Sequence, residues 1–171
     1  MENNNIDTNL LSFSFWQTCE ELIKKMEDDG YTIRLVSGKR TPREQAKIWR
    51  NGRASYLIKS TIKNLRDKKQ NAIADLVEDV GPQMGKHVLT QTLPGYSWHN
   101  WGEAIDVWVN DDASGSDANY QPLAIAAKAL NLTPGYYFHF RDPGHIQQSS
   151  FEIRQRFSDA QVNEYVKNNP G

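Results

Sequence analysis

The sequence predicts a single domain of the α+β class, an expectation that rests on three observations. At 171 residues the chain is long enough for one hydrophobic core and too short for two domains of ordinary size. Apolar residues make up 38% and charged residues 24% of the chain, which is typical of a globular protein and argues against disorder. Helical and strand patterns are mixed without a regular βαβ alternation, which favours α+β over a doubly wound sheet.

Helical patterns dominate the first half of the chain. Apolar residues recur at helical spacing from Phe13 to Asp29, and Gly30 is expected to end that helix. Partial alternation from Tyr31 to Val36 predicts a strand. The stretch from Thr41 to Glu44 is a capping box with proline at the first helical position, so a second helix begins there. A longer helix is expected from Tyr56 to Val80.

Shorter elements are expected in the second half. Residues 80–96 are rich in glycine and proline and predict a loop, as does the polar stretch 110–121. Ser158 and Gln161 form a second capping box, which opens a C-terminal helix over about 158–168. The remaining expected elements are strands at Glu103–Val109, Tyr136–Phe140 and His145–Gln148, and a helix at Pro122–Leu130.

Charge and composition exclude several classes of function. The formal net charge is −1, so no overall attraction to nucleic acid or to an anionic membrane is expected. No apolar stretch approaches the roughly 20 residues that span a bilayer, so membrane insertion is not expected. The single cysteine, Cys19, excludes an internal disulfide and any multi-cysteine metal site. It shares a helical stripe with apolar residues and is interpreted as a buried small side chain.

The stretch SWHNWGEAID, residues 97–106, contains two potential metal ligands. His99 and Asp106 are seven residues apart with Gly102 between them, so both can reach one ion if the loop folds back. The helical zinc motif HExxH is absent. Taken alone, the histidine is more often packed or exposed, and the aspartate can simply cap a strand.

A second histidine with a nearby carboxylate follows in FRDPGHIQ, residues 140–147. A turn at Pro-Gly would bring Asp142 close to whatever His145 binds, although this sequence is first of all a turn signal. Together the two stretches predict His99, Asp106 and His145 as zinc ligands, with a fourth position left for water. Asp142 would then be the general acid–base catalyst beside that water. This arrangement is typical of a zinc hydrolase.

The first of these stretches resembles the Ser-x-His-x-x-Gly-x-Ala-x-Asp motif of the zinc D-alanyl-D-alanine carboxypeptidase and L-alanyl-D-glutamate peptidase superfamily, which includes phage endolysins. DPGH is similar to the closing acid-x-x-His element of that family, with Asp142 as the catalytic acid. SGKRTPREQ, residues 37–45, is similar to its upstream Ser-Gly-x-Arg element. The resemblance covers about residues 31–148. The fixed positions of the first motif are Ser97, His99, Gly102, Ala104 and Asp106.

The resemblance implies a zinc metallopeptidase that cuts peptidoglycan stem peptides next to D-amino acids. Either an L-Ala–D-Glu endopeptidase or a carboxypeptidase that removes terminal D-Ala would fit. It also implies a DD-peptidase or hedgehog-like fold, in which a small antiparallel sheet flanked by helices carries one zinc ion per chain. Arg40, Gln45 and Ser97 are the implied substrate-binding residues, and Arg40 is also an implied catalytic residue that stabilises charge as the tetrahedral intermediate forms. The sequence departs from the family in having Ile-Gln after His145 and a helical insertion over about 56–88.

Arg40 also has a position that suits a functional residue, because it lies between a predicted strand and a capped helix. A guanidinium stays charged and binds in a planar fork, so it suits a peptide carboxylate or the developing oxyanion. The alternative is a surface arginine that pairs with Glu44 or Asp142.

Other polar and aromatic residues are expected to play structural roles. His139 is interpreted as a packed strand residue or a partner of the zinc ligands, and His87 as an exposed loop residue. Trp98 and Trp101 either pack the loop around His99 or line a substrate groove. Core positions are expected for Trp16, Trp49 and Trp108.

Two interpretations of function remain at this point. The first is the zinc peptidase, acting as a monomer on peptidoglycan peptides. No signal peptide is visible in residues 1–10, so we expect synthesis in the cytoplasm. Action in the periplasm or cell wall would follow holin-type release or delivery by a secretion device. The second interpretation is a catalytically silent, zinc-stabilised binding or structural domain on the same scaffold. A serine hydrolase is not expected, because no base is left to activate Ser97.

Overall fold

The computed structural model describes residues 6–171. Within the described residues the chain forms seven α-helices and a four-stranded antiparallel sheet, which confirms the α+β class. The helices are α1 (Phe13–Asp28), α2 (Pro42–Arg50), α3 (Ser55–Asp67), α4 (Asn71–Asp79), α5 (Asp117–Ala129), α6 (Ile153–Arg156) and α7 (Asp159–Asn168). The strands are β1 (Ile33–Ser37), β2 (Ala104–Val109), β3 (Thr133–Pro134) and β4 (His145–Gln147).

The chain divides into two compact units, and the first comprises Met1–Lys39 and Trp101–Ser150. Its sheet has the strand order β1-β2-β4-β3, and each neighbouring pair is antiparallel. Helices α1 and α5 contribute the remaining core of this unit. Its buried apolar side chains include Phe15, Leu22, Met26, Ile105, Val109, Leu123 and Ile146.

Strand β2 has two different faces, because successive side chains of a strand point in opposite directions. Ile105, Val107 and Val109 are buried in the core of the first unit. Asp106 and Trp108 therefore lie on the other face of the sheet. Trp108 is half-buried and stacks under the guanidinium of Arg34, whose Cζ is 4.2 Å from the ring centroid. The prediction that Trp108 is a core residue was wrong, since the strand period places it opposite the core.

The second unit comprises Arg40–Asn100 and Phe151–Gly171 and is built from helices. Helix α4 packs against α2, α3 and α7. The predicted capping box opens α2: the Thr41 hydroxyl accepts from the Glu44 amide at 3.2 Å, and the Glu44 carboxylate accepts from the Thr41 amide at 2.8 Å. The second predicted capping box, at Ser158 and Gln161, opens α7. Residues 80–96 contain no helix or strand, as expected.

The long helix expected over residues 56–80 is instead two helices, α3 and α4. Lys69 adopts a left-handed conformation, with φ of 61°, and ends α3. The amide of Gln70 donates to the Leu65 carbonyl at 2.8 Å, and that of Lys69 to the Arg66 carbonyl at 2.9 Å. These two bonds form a Schellman motif, in which glycine is the usual left-handed residue. Because lysine occupies that position here, the sequence carries no stop signal.

Two further elements differ from the sequence predictions. Residues 136–140 are not a strand, since Gly135–Tyr137 is a 3₁₀ turn and strand β3 precedes it. Helix α5 begins at Asp117, five residues before the predicted start at Pro122. The polar stretch before Pro122 looks like a loop, but it contains Tyr120, whose burial in the core favours the helix. Among the described residues, no helix is long and apolar enough to cross a membrane.

Candidate zinc site

Strand pairing brings Asp106 and His145 together. The two residues are directly opposite each other in the antiparallel pair β2–β4, so their side chains lie on the same face of the sheet. Nδ1 of His145 is 3.0 Å from Oδ1 of Asp106. Both lie on the face of the sheet opposite to Ile105 and Val107, whose side chains are in the core.

His99 lies in a 3₁₀ turn, Trp98–Trp101, that immediately precedes β2. The His99 carbonyl accepts a hydrogen bond from the amide of Arg40 at 3.0 Å. The buried side chain of Asn100 donates to the Arg40 carbonyl at 2.9 Å and accepts from the Gly95 amide at 2.8 Å. The turn that carries His99 is therefore tied to the backbone of Arg40 by two hydrogen bonds.

The predicted ligands His99, Asp106 and His145 each offer one ligand atom, and these atoms all lie within 4.8 Å of one another. Two imidazoles and a carboxylate are a common donor set for zinc, with a further position open to water. Two ligands of a tetrahedral zinc ion lie about 3.3 Å apart if each bond is about 2.0–2.1 Å long. The 3.0 Å between His145 and Asp106 is close to that value, so the residues fit the ion.

Gly102 allows the chain to turn between His99 and Asp106. Its φ is +70°, a left-handed conformation that residues with a Cβ rarely adopt. A Cβ at this position would also lie 2.7 Å from the backbone oxygen of Leu10. The amide of Ser12 donates to the Gly102 carbonyl at 2.9 Å, so the two segments are held in contact. The glycine of the motif is thus required by both conformation and space.

Asp142 begins the turn that leads into β4. Its carbonyl accepts from the amide of His145 at 3.1 Å, which is the turn predicted at Pro-Gly. The amide of Asp142 donates to the Gly135 carbonyl at 3.0 Å. Asp142 is exposed, and it lies outside the group of three ligands. Asp142 is thus an exposed acidic residue three positions before the third predicted ligand, His145.

His145 lies in negative surroundings. Burial lowers the pKa of its imidazole. The hydrogen bond and charge of Asp106, with smaller contributions from Gln147 and Asp142, outweigh the effect of burial, so the pKa is raised. Groups that stabilise a positive imidazole also favour a bound cation. The electrostatics of this position are therefore suited to a metal ion.

The structure places Arg40 next to Gln45, which was predicted to bind substrate with it. Arg40 donates from Nη1 to the Oε1 of Gln45 at 2.9 Å. The side-chain amide of Gln45 donates to the Thr92 carbonyl at 2.8 Å. Gln45 is only 1% exposed, and both ends of its amide are engaged within the protein. Its observed contacts hold the guanidinium of Arg40, and its contact with substrate stays a prediction.

Ser97 is half-buried, and its carbonyl accepts from the amide of Asn100 at 2.9 Å. This contact shapes the turn that carries His99, and a role of Ser97 in substrate binding stays a prediction. Trp98 is buried, and its indole N–H donates to the Phe151 carbonyl at 3.0 Å. Packing of the loop is therefore the correct interpretation for Trp98.

Sequence reasoning assigned no role to two residues that contact His145. Oε1 of Gln147 lies 2.9 Å from Nε2 of His145. The Phe138 ring centroid is 5.8 Å from that of His145, and Phe138 is partly exposed. Strand periodicity could have identified Gln147, because residues i and i+2 share a face. No local pattern marks Phe138, which follows a 3₁₀ turn.

The structure also tests the structural roles predicted for His139, His87 and Cys19. His139 is exposed and stacks edge-on against Phe140, so its interpretation as a packed strand residue was wrong. It falls in the irregular segment that was predicted as a strand. His87 is exposed in its loop, as predicted. Cys19 is fully buried, and burial, with a smaller contribution from the charge of Glu20, raises the pKa of its thiol to about 12.

One protein-family model matches most of the chain, and two solved structures are similar to it. The model of the VanY family, D-alanyl-D-alanine carboxypeptidase, matches residues 8–150. A crystal structure of a point mutant of the vancomycin resistance D,D-pentapeptidase VanY, from the VanB-type cassette and in complex with Zn(II), shares 16% identity with a TM-score of 0.48. The match covers 91% of this chain and 83% of that one. VanYB in complex with D-alanine-D-alanine shares 16% identity with a TM-score of 0.46, over 92% and 82% of the two chains. No curated protein sequence is significantly similar to the chain.

Proposed function

Because the chain belongs to the VanY family of D-alanyl-D-alanine carboxypeptidases, we propose that it removes the terminal D-alanine from peptidoglycan stem peptides. The protein is a peptidase, and its substrates are peptides of the bacterial cell wall. One observation supports the proposal above all: the candidate ligand atoms of His99, Asp106 and His145 all lie within 4.8 Å of one another. This arrangement is what a hydrolytic metal site requires.

His99, Asp106 and His145 would hold one zinc ion per chain. When bound, zinc supplies Lewis-acid chemistry, since it lowers the pKa of water and polarises the carbonyl under attack. Contacts within the protein position each of these three residues. His145 and Asp106 are fixed by the register of β2 and β4, and His99 by the backbone contact with Arg40.

Asp142 would act as the general base and then the general acid. Its exposed carboxylate can accept a proton from the attacking water and pass it to the leaving amine of the terminal D-alanine. It lies at the start of the turn before His145, so it is near the metal ligands without being one of them.

Arg40 would bind the negative charge of the substrate. A guanidinium remains charged at all relevant pH values and matches a carboxylate in a planar fork. A carboxypeptidase substrate ends in such a carboxylate next to the scissile bond. The hydrogen bond from Arg40 to the buried Gln45 restricts the orientation of the guanidinium, which favours a defined contact.

Product analysis tests the bond specificity. The zinc-loaded protein is incubated with a synthetic stem pentapeptide that ends in D-Ala-D-Ala, and the products are identified by mass spectrometry. We expect release of one D-alanine and a remaining tetrapeptide. Cleavage between L-Ala and D-Glu would instead identify an endopeptidase, and an intact substrate would contradict both. Lysis, delivery to the cell wall and the monomeric state stay predictions.

Replacing Asp142, the proposed general acid–base catalyst, tests the mechanism and distinguishes a peptidase from a catalytically silent zinc domain. Asp142→Asn should lower kcat by about 10²–10⁴-fold, because it removes a general acid–base catalyst. Zinc content should remain that of the wild type, since Asp142 is not among the ligands. Asp28→Asn, at the exposed end of α1, is the matched control and should leave both values unchanged. Full activity of Asp142→Asn would exclude this role for Asp142.

A further inference from the structure

Gln147 lies on the same face of β4 as His145, two residues further along the strand. Its Oε1 is 2.9 Å from Nε2 of His145. Gln147 is only 9% exposed, so water does not readily compete for this contact. Directly opposite Gln147 on β2 is Ala104, whose small side chain leaves room for the glutamine to reach His145.

The amide orientation of Gln147 follows from its other contact. Its Nε2 donates to the backbone carbonyl of Ser149 at 2.5 Å. A carbonyl can only accept, so the nitrogen of the amide must face Ser149 and the oxygen must face His145. The oxygen can only accept as well. Nε2 of His145 is therefore the nitrogen that donates a hydrogen bond here.

The other ring nitrogen of His145 faces Asp106. Nδ1 is 3.0 Å from Oδ1 of Asp106, which is itself one of the three ligands. A histidine binds zinc through a nitrogen that carries a lone pair, and the hydrogen bond made by its other nitrogen selects which one that is. With Nε2 engaged by Gln147, Nδ1 is left to face the ion.

We propose that Gln147 is a positioning residue of the zinc site: it holds the ring of His145 so that Nδ1 is the metal-binding atom. The proposal rests on the zinc site of the proposed function, but it does not depend on which peptide bond is cut. It also gives a physical role to the glutamine at this position. A glutamate here would make the same hydrogen bond with a negative charge, and glutamine makes it without adding one.

Zinc affinity tests the proposal through two substitutions and a control. Gln147→Met keeps the size of the side chain and removes the acceptor, so zinc affinity should fall about 10–100-fold. Gln147→Glu restores an acceptor and should bind zinc within a fewfold of the wild type or more tightly. Gln121→Met, on the exposed face of α5, should have no effect. Affinity is measured by competition with a chromophoric chelator, and thermal unfolding of the metal-free proteins checks that each variant is folded.

Wild-type affinity in a folded Gln147→Met variant would overturn the proposal, and so would an equal loss in Gln147→Glu. If Gln147→Met does not fold, long-range ¹H–¹⁵N spectra of the zinc-loaded wild type decide the question. We expect the metal at Nδ1 of His145 and a proton at Nε2, and the reverse would overturn the proposal. Tight zinc binding that depends on Gln147, in a protein that cleaves no stem peptide, would refute the proposed function and leave this inference standing.

Discussion

Substitution of Gly102 by alanine tests whether the turn between His99 and Asp106 is built around a glycine. The added Cβ would lie 2.7 Å from the Leu10 carbonyl oxygen and 3.3 Å from the amide nitrogen of Ser12. Both are backbone atoms, and a hydrogen bond from Ser12 to Gly102 holds the two segments together. The neighbouring chain therefore cannot move aside without losing that bond.

The expected loss of stability has two parts. The left-handed conformation, with φ of +70°, costs a residue with a Cβ about 1–2 kcal/mol. Forcing an additional methyl group into packed surroundings typically adds about 1–3 kcal/mol. We therefore expect Gly102→Ala to lower the free energy of unfolding by about 2–5 kcal/mol. At about 2–4 °C per kcal/mol for a chain of this size, the melting temperature should fall clearly.

Gly30→Ala is the matched control for this experiment. Gly30 belongs to the same unit and has a φ of +90°, but nothing lies within 4 Å of its added Cβ. Gly30→Ala should therefore lower the free energy of unfolding only by the conformational cost, about 1–2 kcal/mol. Urea denaturation of both metal-free variants measures the difference, and chelator competition should show weakened zinc binding for Gly102→Ala alone. Equal losses of stability in the two variants would refute the steric argument.

Three further outcomes are expected. His99→Ala should abolish both zinc binding and hydrolysis, whereas His87→Ala in the exposed loop should change neither, as elemental analysis and a peptide assay would show. Asn100→Ala should lower the free energy of unfolding by about 1–3 kcal/mol, because it removes a buried side chain that donates to the Arg40 carbonyl and accepts from the Gly95 amide. An unchanged urea midpoint would contradict this. Cys19 should resist iodoacetamide at pH 8 in the folded protein and react only in denaturant, because its pKa of about 12 keeps the thiol neutral. Labelling is measured by mass spectrometry, and rapid labelling of the folded protein would contradict this prediction.

The candidate site was more predictable than the fold around it. His99, Asp106 and His145 stand out because metal ligands belong to few residue types and recur at spacings that chemistry can use. The capping boxes of α2 and α7 could also be predicted from the sequence, since each is formed by residues within one turn. The break between α3 and α4 could not be predicted, because Lys69 takes a conformation that glycine normally provides.

The sequence by itself determined the candidate ligand types, the starts of α2 and α7 and the α+β class, since these depend on residues close together in the chain. Tertiary structure alone decided what surrounds the ligands. The register of β2 and β4 places Asp106 opposite His145 and brings Gln147 onto the same face. It also leaves Trp108 on the face opposite the core, although the residue is apolar. Register depends on the alignment of two distant segments, and a shift of one residue would move every one of these side chains to the other face.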